Sequence, residues 1–205
     1  MGGSVMASII NATTTGITVT GDNSGQLILS ANGSTALTAN TTGYLNFAKQ
    51  PTIGGVEWPA FSAYVGTNQS VSSGTYTKLA CSVEEFDTAS RYNNTGSTVG
   101  GIPAYAFLPN VAGYYQFNGQ TENQSGGGAR VIVQFYKNGS EIKRGNDLGL
   151  PSGNWGNAAG MVANALIYCN GISDYIEFYI YDTGGQTVAA GPLTSYFQGF
   201  LVRAA

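Results

Sequence analysis

The chain has 205 residues and a formal net charge of −3, and only 9% of its residues are charged, against about a quarter in ordinary globular domains. It contains no histidine, which excludes a Ser-His-Asp or Cys-His catalytic arrangement within one chain. It also lacks a run of Lys or Arg and an apolar run of membrane-spanning length, so we expect neither nucleic-acid binding nor membrane insertion. Its 30 glycines and 13 tyrosines favour a sheet protein with many turns and large subunit interfaces.

The N-terminus lacks the basic start and the apolar segment of a secretion signal, so we expect no signal peptide. We expect Met6 to be the natural start, with residues 1–5 added by cloning.

Residues 1–55 contain short aliphatic doublets, each preceded by a glycine. The doublets are Ile17 with Val19, Leu27 with Leu29, Leu37 with Ala39, and Leu45 with Phe47. Their alternation predicts short strands joined by turns. A single copy buries too little apolar surface to offset an ordering entropy of about 1–2 kcal/mol per residue. We therefore predict a β-rich stalk in which three chains pool this segment; the alternative is a flexible Gly/Thr linker.

Pro51 and the pair Gly54-Gly55 interrupt this pattern, so we place a domain boundary there, between residues 1–55 and 56–205. The second domain shows about nine or ten strands and no helical periodicity. The main predicted strands are 61–65, 75–82, 84–92, 105–108, 114–122, 130–137, 140–144, 160–169, 174–181 and 196–203. The sequence predicts an all-β fold, an antiparallel sandwich of the jelly-roll type.

Two Asn-Gly pairs predict hairpins in this domain. Asn138-Gly139 joins strand 130–137 to strand 140–144, because both turn positions of such a hairpin favour positive φ. Asn170-Gly171 predicts a second pairing, between 160–169 and 174–181. Residues 93–103, 124–128 and 145–157 are predicted loops.

Two strands carry apolar residues on both faces. Strand 174–181 places Ile176, Phe178 and Ile180 toward the core, and its other face carries Glu177 with Tyr175, Tyr179 and Tyr181. The last strand places Phe197 and Leu201 on one face, and Tyr196, Phe200 and Val202 on the other. A sheet face that is exposed only to solvent would carry mostly charged residues. We therefore predict that these aromatic side chains contact a neighbouring subunit.

The spacing of Phe107, Gly113, Tyr115 and Phe117, with Phe86 upstream, resembles the core signature of the C1q/TNF-like family. The resemblance implies a ten-stranded jelly roll that forms tight trimers and contacts ligands through loops. It also implies that Phe107, Tyr115 and Phe117 are core or intersubunit aromatics and that Gly113 forms a turn. The chain departs from the family at Tyr92, where Asn or Asp is usual, and at Gly119, where an aromatic is usual.

The closing strand, residues 195–205, resembles those of C1q-like heads on bacteriophage structural proteins, and the N-terminal units resemble stalks of marine-phage tail or appendage proteins. This second resemblance implies a virion protein made in the host cytoplasm. Its partners would be its own copies in a homotrimer, other virion proteins, and a host cell-surface glycan or protein.

The sequence contains few candidate catalytic residues, so we predict that the protein is not an enzyme, and we assign no metal or cofactor. Glu84, Glu85 and Asp87 form an acidic cluster, which we interpret as a solvated strand edge rather than a glycosidase pair. No alternating Asp/Asn loop indicates calcium, and only the resemblance to C1q-like heads allows that ion near a trimer axis. Cys81 and Cys169 are interpreted as small buried thiols; a disulfide is the alternative.

Trp155, flanked by Asn154 and Asn157 in a Gly/Asn loop, is the candidate ligand contact, because aromatics beside amides suit sugar faces and protein hot spots. The alternative is that Trp155 folds down as a lid on the sandwich.

The predicted function is a trimeric virion appendage whose head binds a host receptor or a neighbouring virion protein. Alternatives are a purely structural tail or capsid decoration protein, a bacterial C1q-like adhesin and, with least support, a depolymerase.

Overall fold

The computed structural model describes residues 18–21, 27–31, 34–39, 45–47, 58–149 and 158–205. The chain divides into two compact units, Met1–Thr52 and Ile53–Ala205. None of the described residues is helical, so these residues form no helix that is long and apolar enough to cross a bilayer.

The first unit contains a four-stranded antiparallel sheet in sequential order. Its strands are β1 (Thr18–Gly21), β2 (Leu27–Ala31), β3 (Ser34–Ala39) and β4 (Leu45–Phe47). The aliphatic doublets fall in register across the strands, with Leu29 opposite Leu37 and Leu37 opposite Phe47. Such a meander is what short alternating segments with Gly and Asn corners favour. That three chains share this segment stays a prediction.

The second unit is a sandwich of two antiparallel sheets. Its strands are β5 (Ala60–Tyr64), β6 (Gln69–Val71), β7 (Thr77–Lys78), β8 (Val83–Asp87), β9 (Tyr92–Asn93), β10 (Ala106–Phe107), β11 (Gly113–Gly126), β12 (Arg130–Lys137), β13 (Ser140–Gly149), β14 (Gly160–Cys169), β15 (Ile176–Asp182), β16 (Gln186–Val188) and β17 (Tyr196–Ala204). The six-stranded sheet has the order β13-β12-β15-β10-β9, with β7 also paired to β15. The seven-stranded sheet has the order β6-β16-β11-β17-β5-β8, with β14 also paired to β11.

Aromatic rings from both sheets fill the space between them. The rings of Phe61 and Phe107 stack with centroids 4.4 Å apart, and those of Phe135 and Phe178 lie 5.3 Å apart. The fully buried aromatic side chains are Phe61, Phe107, Tyr115, Phe117, Phe135, Phe178 and Phe197. Burying one such ring stabilises the fold by about 1.5–3 kcal/mol, so this cluster is the main apolar contribution to the sandwich. The predicted inward positions of Ile176, Phe178 and Ile180 are confirmed.

The first predicted hairpin is confirmed. Strand β12 ends at Lys137, and Asn138 and Gly139 have φ of 54° and 76°, so both turn residues occupy the left-handed region that this turn requires.

The second predicted hairpin is wrong. Strand β14 pairs with β11 in the seven-stranded sheet, whereas β15 pairs with β12 and β10 in the six-stranded sheet. The side chain of Asn170 stabilises the loop between these strands, because its Oδ1 accepts hydrogen bonds from the backbone N–H groups of Ile172, Ser173 and Asp174. This compact loop satisfies local backbone donors and carries the chain from one sheet to the other.

Several further expectations differ from the structure. Strand β11 runs to Gly126, into the predicted loop 124–128, and of the predicted strand 84–92 only the part up to Asp87 belongs to β8. Strand β13 continues to Gly149 where a loop was expected, because the carboxylate of Asp147 binds Arg130 at 2.7 Å and holds the strand end against β12. Of the predicted strand 75–82, only Thr77–Lys78 pairs. Gly113 is the first residue of β11 rather than a turn; a Cβ there would clash with the backbone carbonyl oxygen of Arg203, so the position needs glycine for close approach.

Both cysteines are free and buried, as interpreted from the sequence. Burial raises the pKa of the Cys169 thiol from 9.0 to about 12 and raises the pKa of the Cys81 thiol as well. The unfolded chain therefore releases these protons at lower pH than the folded chain does. We expect the contribution of these thiols to the free energy of unfolding to be constant below about pH 8 and to fall between about pH 9 and 12.

The loss should reach up to about 1.4 kcal/mol per pH unit for each such thiol. Urea unfolding at neutral pH and at several alkaline values, repeated with Cys169→Ala, measures it. The variant should lose less stability with rising pH than the parent. Equal stability of the parent at neutral pH and at pH 11 would contradict this expectation.

Candidate interaction surfaces

Strands β14, β11 and β17 lie side by side in the seven-stranded sheet, and ten of their outward side chains form a patch without charge. The exposed Arg203 of β17, opposite Tyr114, and Glu122 of β11 lie at the ends of this patch. Alternation along β14 is strict, with every second residue buried. We call this surface the uncharged face, and it consists of Tyr114, Gln116, Asn118, Val162, Asn164, Leu166, Tyr168, Gln198, Phe200 and Val202.

The strand register arranges the uncharged face in rows. In one row Gln116 lies between Leu166 and Phe200, which are 51% and 47% exposed. In the next row, the amides of Asn164, Asn118 and Gln198 lie side by side across the three strands. At one end the rings of Tyr114 and Tyr168 pack with centroids 5.5 Å apart. Apolar and aromatic rows therefore flank a row of neutral amides.

This chemistry indicates an interaction surface. A sheet face that meets only water normally carries charged and hydroxyl residues, and contiguous exposed apolar patches are uncommon on monomers. Protein interfaces are depleted in charge and enriched in aromatic residues at their centre. The uncharged face has both properties.

The aromatics that the sequence singled out divide into three groups. Tyr115 and Phe117 point inward and are fully buried. Tyr196 is half-buried and Phe200 exposed, and both point outward from the seven-stranded sheet, Phe200 within the uncharged face. Tyr175, Tyr179 and Tyr181 belong to the six-stranded sheet or to the loop before it, on the opposite side of the sandwich.

The outward tyrosines of the six-stranded sheet are partly covered by their own chain. The ring of Tyr76 packs on Tyr181 at 4.7 Å, and Tyr136 meets Tyr179 edge-on at 4.1 Å. Burial, and next the charge of Glu177, raises the pKa of Tyr179 to about 12. These contacts come from residues distant in sequence, which reduces the need for a second subunit at this face.

Trp155, Asn154 and Asn157 lie outside the described residues, so their role in ligand binding stays a prediction. The acidic cluster lies on β8, at the edge of the seven-stranded sheet. There Glu85 accepts a hydrogen bond from Ser62 at 2.6 Å, and Asp87 accepts three from backbone N–H groups. Both carboxylates are therefore engaged in local structure.

The side chains of the uncharged face do not fit a calcium site, because they bring neutral amide oxygens without a carboxylate. Within residues 58–149 and 158–205, no group of three or more His, Cys, Asp or Glu side chains is placed to hold a metal ion.

A second surface feature was missed by the sequence reasoning. Residues 89–95, 99, 100 and 102 line an open cleft of about 500 Å³ beside β9. The only signal in the sequence was Arg91, one of few cations in the chain, next to the amides of Asn93 and Asn94. The surrounding Gly, Ser and Thr residues predicted nothing more than a loop.

No family model matches the chain, and no curated protein is similar to it. Solved structures are similar to it. Murine APRIL superposes with a TM-score of 0.50 at 10% identity, covering 71% of this chain and 100% of that chain. Eiger TNF from S. frugiperda gives 0.46 at 11% identity over 72% of this chain and 94% of that chain. Pika GITRL gives 0.39 at 16% identity over 72% and 98%.

The likeness to murine APRIL confirms the fold class predicted from the sequence, an antiparallel all-β jelly roll of the TNF/C1q type. At 10% identity it establishes the fold alone.

Proposed function

We propose that this chain is a homotrimeric structural protein of a virion appendage, whose jelly-roll head binds a host-surface receptor or a neighbouring virion protein. The observation that carries the proposal is the uncharged face. Ten outward residues on three adjacent strands lack charge, and several are large apolar side chains left open to water in the single chain. Covering them with further copies is the simplest way to remove that surface from water.

The number three comes from the C1q/TNF-like resemblance rather than from the shape of the surface. The virion setting comes from the resemblance of the closing strand and of the N-terminal units to phage heads and stalks. A trimer would present three copies of each loop on one particle. Weak individual sites then act together, because the second and third contacts form at high effective concentration.

The mass of the full-length chain in solution tests the assembly. Light scattering at micromolar concentration should give about three times the 21.3 kDa chain mass, about 64 kDa. A compact monomer at that concentration would contradict the proposal.

Adsorption to host cells separates a receptor-binding head from a purely structural decoration. A receptor-binding trimer should adsorb measurably, and Trp155→Ala should weaken adsorption while leaving the trimer mass unchanged. A trimer that adsorbs equally well with either residue would remove Trp155 from the site. A trimer that does not adsorb at all would favour the structural alternative.

A further inference from the structure

The walls of the cleft beside β9 are held in place by their own hydrogen bonds. The side-chain amide of Asn93 donates to the carbonyl oxygens of Ser97 and Ile102 at 2.7 and 2.8 Å. Val99 and Ile102 exchange backbone hydrogen bonds of 3.0 and 2.9 Å around two glycines with positive φ. A wall organised in this way loses little conformational entropy when a ligand binds.

The carboxylate of Asp87 fixes the opposite side of the cleft. Its Oδ2 accepts from the backbone N–H groups of Arg91 and Tyr92 at 2.5 and 2.6 Å, and its Oδ1 accepts from that of Ala89 at 3.1 Å. The carboxylate therefore binds the backbone of Arg91 and leaves the guanidinium of that residue to other partners.

Among the cations that the structure describes, Arg91, Lys143 and Arg203 have no carboxylate partner, and of these three only Arg91 has a donor that is buried without an acceptor. Lys78, Lys137, Arg130 and Arg144 each pair with a carboxylate. Arg91 has no such partner among the described residues, and its buried Nε–H finds no acceptor there. Burying a guanidinium donor without an acceptor is unfavourable, and an anion with two acceptor oxygens, such as a carboxylate or a sulfate, accepts from two guanidinium N–H groups at once.

We propose that this cleft binds the anionic group of an acidic saccharide, a carboxylate or a sulfate, through the guanidinium of Arg91. This inference rests on the proposed binding role of the head and names the class of its ligand. Asn94 and Thr95 line the same cleft and offer neutral hydrogen-bonding groups to sugar hydroxyls. Val99 and Ile102 supply an apolar wall for the ring.

Saturation-transfer NMR on the full chain, at low ionic strength, tests the site with glucuronate, glucose 6-sulfate and neutral glucose. Glucuronate, glucose 6-sulfate or both should bind with a dissociation constant of about 1 mM, and glucose much more weakly. Which acidic sugar binds distinguishes carboxylate from sulfate recognition. Binding of glucose as tight as that of the acidic sugars would overturn the proposal.

Arg91→Gln should weaken binding at least about tenfold, because it removes a charge-assisted bidentate contact. Lys143→Gln is the matched control, since it removes one exposed positive charge from β13 and should leave binding unchanged. Arg91→Lys keeps the charge but not the planar fork, so it should weaken binding with little change in melting temperature. Unchanged affinity in both Arg91 variants would overturn the site.

The outcomes also separate this inference from the proposed function. A trimer that adsorbs to host cells but binds neither acidic sugar would leave the proposed function standing and reject the ligand class. A monomer that does not adsorb would reject the proposed function itself.

Discussion

Replacing Leu166 and Phe200 together by aspartate is expected to dissociate the proposed trimer. Both side chains are about half exposed in the single chain and lie in one row of the uncharged face, on either side of Gln116. In an assembly that covers this face, each substitution would bury an unpaired carboxylate in place of an apolar contact. The expected loss is about 3 kcal/mol or more per interface, a rise of at least about a hundredfold in the dissociation constant.

Light scattering over a dilution series measures the change, and circular dichroism should show that the monomer remains folded. The matched control is Ile172→Asp with Leu193→Asp. These side chains are 82% and 87% exposed and lie in loops outside the uncharged face, so their replacement should leave the mass unchanged. Dissociation by the control pair, or a trimer that survives the Leu166 and Phe200 changes, would show that this face is not the contact.

Gly119→Phe is expected to destabilise the jelly roll by about 3 kcal/mol or more. Gly119 points inward from β11, and a Cβ there would lie 2.6 Å from the ring of Phe178, which comes from the facing sheet. The C1q/TNF-like pattern usually has an aromatic at the position of Gly119. In this chain Phe178 fills that space from the opposite side of the core.

A double-mutant cycle tests whether Phe178 occupies the space that an aromatic side chain at position 119 would fill. Phe178→Ala alone should cost about 3–5 kcal/mol, because it leaves a cavity. The double variant Gly119→Phe, Phe178→Ala should be more stable than the sum of the single changes predicts, by at least about 1 kcal/mol.

Urea unfolding at one fixed protein concentration measures all three variants, so that assembly does not alter the comparison. Gly160→Phe is the control. Gly160 lies on the neighbouring strand β14 and points outward, and a Cβ there would meet no atom within 4 Å, so the same change should cost about 0.5 kcal/mol or less. Strictly additive effects of the Gly119 and Phe178 changes would show that the two positions do not share one space.

Local patterns predicted the strands well where they depended only on neighbouring residues. Strand β14 has the predicted bounds, because its alternation places one apolar residue inward at every second position. The Asn138-Gly139 turn followed from φ preferences alone. The fold class could therefore be predicted from the sequence.

Pairing partners could not be predicted in the same way. The strands on either side of Asn170-Gly171 both have an inward apolar face, and nothing in that face tells which sheet it belongs to. The side-chain hydrogen bonds of Asn170 stabilise a loop in place of a simple hairpin turn, and alternation along the strands does not reveal such bonds.

The interaction surfaces were predictable only in part. Alternation along the last strand correctly placed Phe200 on the face opposite to that of Phe197. Tyr76 and Tyr136 cover the tyrosines of β15 although they lie far from them in the sequence. Periodicity along a single strand cannot reveal such contacts. The cleft of Arg91 was missed for a similar reason, since the hydrogen bonds of Asn93 build it from a segment that looked like an ordinary polar loop.

Two outermost strands of the head, β13 and β8, carry several of its charged side chains. Strand β13 closes the six-stranded sheet and carries Glu141, Lys143, Arg144 and Asp147, while β8 closes the seven-stranded sheet with Glu84 and Glu85. Charged borders discourage the addition of a foreign strand to open backbone groups. Growth by strand addition into filaments is therefore disfavoured at these two borders, which favours the proposed association through a broad face into a closed, finite particle.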